Sequence, residues 1–128
     1  MVLIHASKDV PAALDRVWDV VSDIDREPEF WRGTKSIKNI KQTGNIVERD
    51  VVIAFRNSKC REVVKLVNKK SINVEILEGP IRGKKTIVLK TIKNHTTTID
   101  VVWDIKVDGL YGIFSGMIKK HGLEIIFP

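Results

Sequence analysis

The segment from Asp9 to Trp31 constrains this chain more than any other part of its sequence. It opens with Val10-Pro11, and its apolar residues then recur at the spacing of one helical face. Proline suits the first turn of a helix, because the missing N–H would have no helical partner there. The pattern therefore predicts an amphipathic helix from Val10-Pro11, with this apolar face: Leu14, Val17, Trp18, Val21 and Ile24.

The rest of the pattern predicts a second short helix and then strands. Asp23 or Asp25 can cap a helix that runs through Phe30 and Trp31. Beyond Trp31, apolar and polar residues alternate between turn signals, which favours β-strands. With edge strands at Val2 to Ala6 and Ile37 to Ile40, we predict about seven antiparallel strands. The final strand is the clearest, with these inward positions: Ile99, Val101, Trp103, Ile105 and Val107.

Length and composition limit the possible classes of protein. With 128 residues and 43% hydrophobic content, residues 1–128 should form a single domain. The single cysteine, Cys60, excludes an internal disulfide, and no apolar run predicts a signal peptide or a membrane span. We therefore expect a soluble cytoplasmic protein. Three scattered histidines predict no metal site, and no motif predicts a cofactor.

The positive charge is expected to gather at one end of the sheet. The net charge is +6, and alternate hairpin tips of a meander lie at the same end. A basic patch of this kind can contact an anionic membrane surface or RNA, or be an ordinary solvated surface. The tips have few aromatic residues for base stacking, which disfavours nucleic acid. The predicted patch comprises Arg56, Lys59, Arg61, Arg82, Lys84 and Lys85.

Two charged residues occupy inward positions of their strands. Arg49 and Glu62 fall on the same face of their strands as the alternating apolar residues. A two-residue turn at Asn57-Ser58 would place Arg49 opposite Leu66. Burying either charge without a partner would cost several kcal/mol. Arg49 must therefore reach the rim of a cavity, pair with a residue such as Glu75 or Asp104, or bind a polar group of a ligand. Exposure at the rim is the ordinary case for a charged residue.

Taken together, these features resemble the START-like, polyketide cyclase and dehydrase superfamily (SRPBCC), near its coenzyme Q-binding and cyclase branch. The resemblance rests on Val10-Pro11 with Val17-Trp18, then on Asp23 and Pro28 to Trp31, the 101–107 strand, and the Asp108 to Gly112 segment. It implies an α+β helix-grip fold, in which a curved antiparallel sheet wraps around a C-terminal helix and encloses a cavity. The expected cavity residues are Trp18, Phe30, Trp31, Arg49, Val51, Ile53, Glu62, Val64, Trp103, Tyr111 and Phe114. For the large rings of Trp18, Phe30, Trp31 and Trp103, an ordinary core position is the default.

The C-terminal segment departs from the pattern of this superfamily. A helix from Gly109 to His121 would span only about 20 Å, and the following Leu123 to Phe127 reads as a strand. This short or truncated helix would leave part of the cavity open. A homodimer formed through this segment is one way to close it.

Three functions fit these observations. Because no strong catalytic motif is present, our main hypothesis is a noncatalytic binder or carrier of a hydrophobic or amphipathic small molecule, such as a lipid, prenyl-quinone or polyketide. The second is a cyclase or dehydratase in which Arg49 polarises a carbonyl and Glu62 acts as base. The third is a basic interaction module that contacts RNA, the ribosome or a protein.

Overall fold

The computed structural model describes residues 2–31, 33–93 and 95–107. Two short helices, a 3-10 turn and seven strands make up most of this part of the chain. In chain order they are β1 (Val2–Val10), α1 (Leu14–Val21), the 3-10 turn (Ile24–Arg26), α2 (Glu27–Phe30), β2 (Thr34–Thr43), β3 (Ile46–Ile53), β4 (Ser58–Val67), β5 (Ser71–Glu78), β6 (Ile81–Lys93) and β7 (Thr96–Val107). A further 3-10 turn, Phe55–Asn57, joins β3 to β4.

The seven strands form one curved antiparallel sheet in the order β1-β7-β6-β5-β4-β3-β2. Strands β2 to β7 are a simple meander, and β1 pairs with β7 at the far edge. The predicted α+β architecture, with two short helices after the first strand, is thereby confirmed. The predicted 109–121 helix and 123–127 strand lie outside the described residues, as do Tyr111 and Phe114.

The predicted start of the first helix was wrong. Val10 and Pro11 do not open α1, because β1 continues to Val10, which pairs with Thr97 of β7. The buried Thr97 hydroxyl then donates a 2.8 Å hydrogen bond to the carbonyl of Ala12. This contact holds the 10–12 segment against the sheet, and the helix begins only at Leu14.

The second helix also differs from its prediction. The Asp23 side chain makes no capping hydrogen bond at the start of the 3-10 turn, and Trp31 lies beyond the end of α2. The backbone N–H of Trp31 instead closes α2 by donating to the carbonyl of Glu27 at 2.8 Å. The short helix therefore presents Glu27 and Phe30, both buried, toward the sheet.

The register of the β3–β4 hairpin was also predicted incorrectly. Ile53 pairs with Ser58, and Arg49 pairs directly with Glu62 rather than with Leu66. The connection comprises residues 54–57 instead of a two-residue turn, and Arg56 and Asn57 adopt φ values of 54° and 51°. The longer connection shifts the whole hairpin, so that the two inward charges become direct neighbours.

We call the side of the sheet that packs against α1 and α2 the inner face. The two helices and this face share one hydrophobic core, in which Val17, Val64 and Ile105 are fully buried. Burying an aliphatic side chain of this size contributes about 1.5–3 kcal/mol. The opposite side, the outer face, carries most of the charged residues of the strands, since successive side chains alternate between faces.

Candidate functional site

Arg49 lies at the centre of a buried ionic cluster on the inner face. Its side chain is 0% exposed, so the expectation of rim exposure was wrong. The guanidinium Nε donates to Glu62 Oε1 at 2.7 Å, and Nη2 donates to Glu27 Oε1 at 2.7 Å. Nη1 donates to the backbone carbonyl of Ile24 at 3.1 Å. Glu75 and Asp104, the partners suggested by the sequence, lie on the outer face instead.

The helical segment supplies one carboxylate and one backbone carbonyl to this cluster. Glu27 is the first residue of α2, and its second carboxylate oxygen accepts a 2.6 Å hydrogen bond from the Thr34 hydroxyl at the start of β2. We call Glu27, Thr34, Arg49 and Glu62 the Arg49 cluster. Because Arg49 binds both Glu27 and the Ile24 carbonyl, the cluster fastens the 24–30 segment to the sheet.

The two carboxyl groups of the Arg49 cluster respond differently to their surroundings. Burial opposes ionisation of Glu27, but the charges of Arg49 and Lys85 and the Thr34 hydrogen bond outweigh it and lower the pKa of Glu27. Burial raises the pKa of Glu62, because the Arg49 charge offsets it only in part and Glu27 adds repulsion. The surroundings therefore favour the charged form of Glu27 more than that of Glu62.

This asymmetry predicts unequal effects of neutral substitutions. At pH 7, Glu27→Gln should lower the free energy of unfolding by about 1.5–3 kcal/mol, and Glu62→Gln should lower it by less. The depressed pKa of Glu27 gives a contribution that is present at neutral pH and lost as the pH falls through its folded-state value. Urea denaturation at pH 7 and pH 4 measures the free energy of unfolding of both variants. The difference between the two variants should be smaller at pH 4 than at pH 7. A larger loss for Glu62→Gln at pH 7 would contradict this assignment.

Lys85 lies next to the Arg49 cluster on the inner face. Its ammonium lies 4.8 Å from the centre of the Trp103 ring and 5.6 Å from that of Trp31. Both distances are within the range of cation–π attraction. Its charge also contributes to the pKa values of Glu27 and Glu62, which places it close to the cluster. Lys85 is half-buried, whereas Arg49 is fully enclosed.

The predicted cavity residues are distributed between the core and the partly exposed part of the inner face. Trp18, Phe30, Trp31, Val51 and Val64 are buried. Ile53 and Trp103 are only partly buried and pack against the core. That these predicted cavity residues contact a ligand remains a prediction.

The six residues of the predicted basic patch do not all lie on one face of the sheet. Lys85 faces inward, while the adjacent Lys84 pairs in register with Glu75 and Asp104 on the outer face. Arg61 lies across from Asp50 on that outer face and binds its carboxylate at 2.6 Å. The expectation of six charges in one patch was therefore wrong, because strand alternation turns Lys85 to the inner face and Asp50 neutralises Arg61. Arg56, Lys59 and Arg82 are exposed.

The outer face also carries a groove of about 320 Å³. Its lining combines Ile46 and Val63 with the charged residues Lys65, Glu75 and Lys84. It lies on the opposite side of the sheet from the Arg49 cluster, so it is not the predicted apolar cavity.

The sequence of this chain matches a family of known proteins. Residues 10–109 match the model of the family described as polyketide cyclase/dehydrase and lipid transport. The chain belongs to this family. None of the curated proteins matches its sequence. The match to the family model confirms the superfamily suggested by the sequence.

Solved structures of other proteins show the same fold. The Zhui aromatase/cyclase from a Streptomyces species superposes with a TM-score of 0.80 at 12% identity, over 96% of this chain and 87% of that chain. A START superfamily protein from Mycobacterium smegmatis gives 0.76 at 14% identity, over 93% and 90%. The XoxI protein of Bacillus cereus gives 0.74 at 14% identity, over 94% and 90%. At such low identity the likeness establishes the fold alone.

Two other features are absent from the described residues of this family member. Those residues contain no group of three or more His, Cys, Asp or Glu side chains able to hold a metal ion. They also include no helix with the length and apolar character required to cross a bilayer. Burial raises the pKa of the Cys60 thiol to about 11, which makes it a poor nucleophile at neutral pH.

Sequence reasoning missed two parts of the site. Glu27 gives no signal in the sequence, because a glutamate is almost never fully buried unless it is paired. The inward position of Lys85 could have been read from the alternation of β6, since Ile81, Gly83, Lys85, Ile87 and Leu89 share one parity.

Proposed function

We propose that this protein binds a hydrophobic or amphipathic small molecule against the inner face of its sheet and does not transform it chemically. The Arg49 cluster is the observation that carries the proposal. The inward charges that suggested acid-base chemistry are bound to one another and to a backbone carbonyl. A guanidinium occupied in this way, on a fully buried side chain, stabilises the fold and is poorly placed to polarise a substrate.

The apolar character of the inner face supports the same proposal. Val51, Val64 and Val74 are buried among the strands, while Ile53, Leu66 and Trp103 are partly buried at the border of the core. Ligand sites in proteins are mainly apolar, with a few polar groups that fix orientation. Lys85 and its two tryptophan neighbours supply such a polar group here. The family description, which includes lipid transport, is consistent with this use.

Ligand binding should raise the melting temperature of the purified protein. A ligand at 100 times its Kd stabilises the folded state by about 2.7 kcal/mol, which corresponds to several degrees for a domain of this size. Differential scanning fluorimetry with a panel of fatty acids, phospholipids, prenyl-quinones and polycyclic aromatic compounds measures the shift. At least one class should produce a concentration-dependent rise. The absence of a shift across the whole panel would contradict the proposal.

A cyclase or dehydratase is the second candidate. The opposite pKa shifts of Glu27 and Glu62 favour it, because paired groups with separated pKa values are a common arrangement in acid-base catalysis. Catalysis by this pair predicts that Glu62→Gln abolishes turnover of a polyketide-like substrate while the protein stays folded. Unchanged turnover in that variant would remove Glu62 from the reaction.

A further inference from the structure

We propose that Lys85 recognises an anionic head group, such as a carboxylate, on the molecule bound at the inner face. This inference rests on the proposed function and adds to it the chemical class of the ligand. The head group would sit at the Lys85 ammonium between Trp31 and Trp103, and the apolar body would lie along the aliphatic side chains of the sheet.

The position of Lys85 within β6 supports this role. It pairs in register with Val74 and Trp103, so its side chain leaves the middle of the sheet and not an edge. Lysines on strands commonly extend into solvent from the outer face, as Lys84 does. Lys85 instead lies over an apolar surface, where its ammonium contacts the indole rings of Trp31 and Trp103.

The contacts within the Arg49 cluster leave the N–H groups of Lys85 accessible to an incoming anion. Within the described part of the chain, both Glu27 and Glu62 form their ion pairs with Arg49 and neither pairs with Lys85. The second oxygen of Glu27 is occupied by Thr34. Ring faces attract the ammonium but do not replace the oxygen acceptors that its three N–H groups prefer. A carboxylate would supply those acceptors in a partly dehydrated setting, where charge-assisted hydrogen bonds are strong.

A matched pair of probes tests the inference. Decanoate and decanol share a chain and differ in the charge of the head group, and isothermal titration calorimetry at pH 7.5 measures both. We expect decanoate to bind the wild-type protein at least about tenfold more tightly than decanol. Lys85→Met should weaken decanoate binding by about 10- to 100-fold and leave decanol binding nearly unchanged.

The chain offers two controls for these measurements. Lys84→Met removes the same charge from the next residue, on the outer face, and should change neither affinity. Lys85→Arg keeps the positive charge and should retain most of the preference for decanoate. If Lys85→Met does not fold, Lys85→Gln and the wild-type preference between the two probes decide the result.

The outcomes separate this inference from the proposed function. Equal binding of decanoate and decanol, or an unchanged preference in the Lys85 variants, would overturn the role of Lys85 while leaving ligand binding in place. Binding of only a neutral lipid or quinone from the panel would have the same meaning. If no compound binds, both the inference and the proposed function are overturned.

Discussion

Replacing Arg49 with methionine should lower the free energy of unfolding by about 3–5 kcal/mol. The guanidinium is fully buried and donates to Glu27, Glu62 and the Ile24 carbonyl. Methionine fills a similar volume but leaves two carboxyl groups inside the protein with no counter-ion between them. Breaking a buried ion pair by removal of one partner is costly for this reason. Urea denaturation followed by circular dichroism measures the loss.

Arg61→Met is the matched control for this prediction. Arg61 also binds a carboxylate across the β3–β4 hairpin, that of Asp50, but its side chain lies on the outer face with 35% of its surface exposed. Partly exposed pairs of this kind contribute about 1 kcal/mol or less. Similar losses for the two arginine variants would show that the Arg49 cluster is not the buried anchor described above.

Gly83→Ala should lower the free energy of unfolding by about 2–5 kcal/mol. Gly83 lies on the inward parity of β6, two residues before Lys85, and has a φ of 138°, which side chains other than glycine rarely tolerate. A Cβ at this position would overlap the Asp104 carbonyl oxygen and lie 2.8 Å from Ile105 Cα. Both obstacles are backbone atoms of the neighbouring strand, so the sheet itself must move.

Gly33→Ala provides the comparison within the same chain. A Cβ on Gly33 has no neighbour within 4 Å, so this substitution should change stability by less than about 1 kcal/mol. The two variants can be compared by thermal and urea unfolding under one set of conditions. A Gly83→Ala protein as stable as the Gly33→Ala protein would contradict the close approach of β6 and β7.

The strands could be predicted because their side chains alternate, whereas the pairing register could not. The β3–β4 connection depends on positive φ values at both Arg56 and Asn57. Asparagine often adopts such values, but arginine rarely does, so the sequence does not indicate this connection. A correct connection would have placed Arg49 against Glu62 from the start. The geometry of the 54–57 connection therefore determines whether the Arg49–Glu62 ion pair can be predicted from the sequence.

The remaining part of the Arg49 cluster depends on tertiary structure. Glu27 is 22 positions from Arg49 in sequence and belongs to a helix of four residues. No local pattern connects a short helix to a particular strand, because the contact arises only when the 24–30 segment folds over the inner face. Lys85 differs in this respect, since strand alternation separates it from Lys84 without any knowledge of the fold.

Native mass spectrometry of the purified protein, followed by extraction under denaturing conditions, tests the central claim most directly. Binding at the inner face predicts a discrete added mass on the folded protein and release of an amphipathic molecule with an acidic head group on denaturation. Supplying decanoate to ligand-free protein should restore a one-to-one complex. Protein that carries no molecule, and that forms no complex with any member of the lipid, quinone and aromatic panel, would contradict the claim.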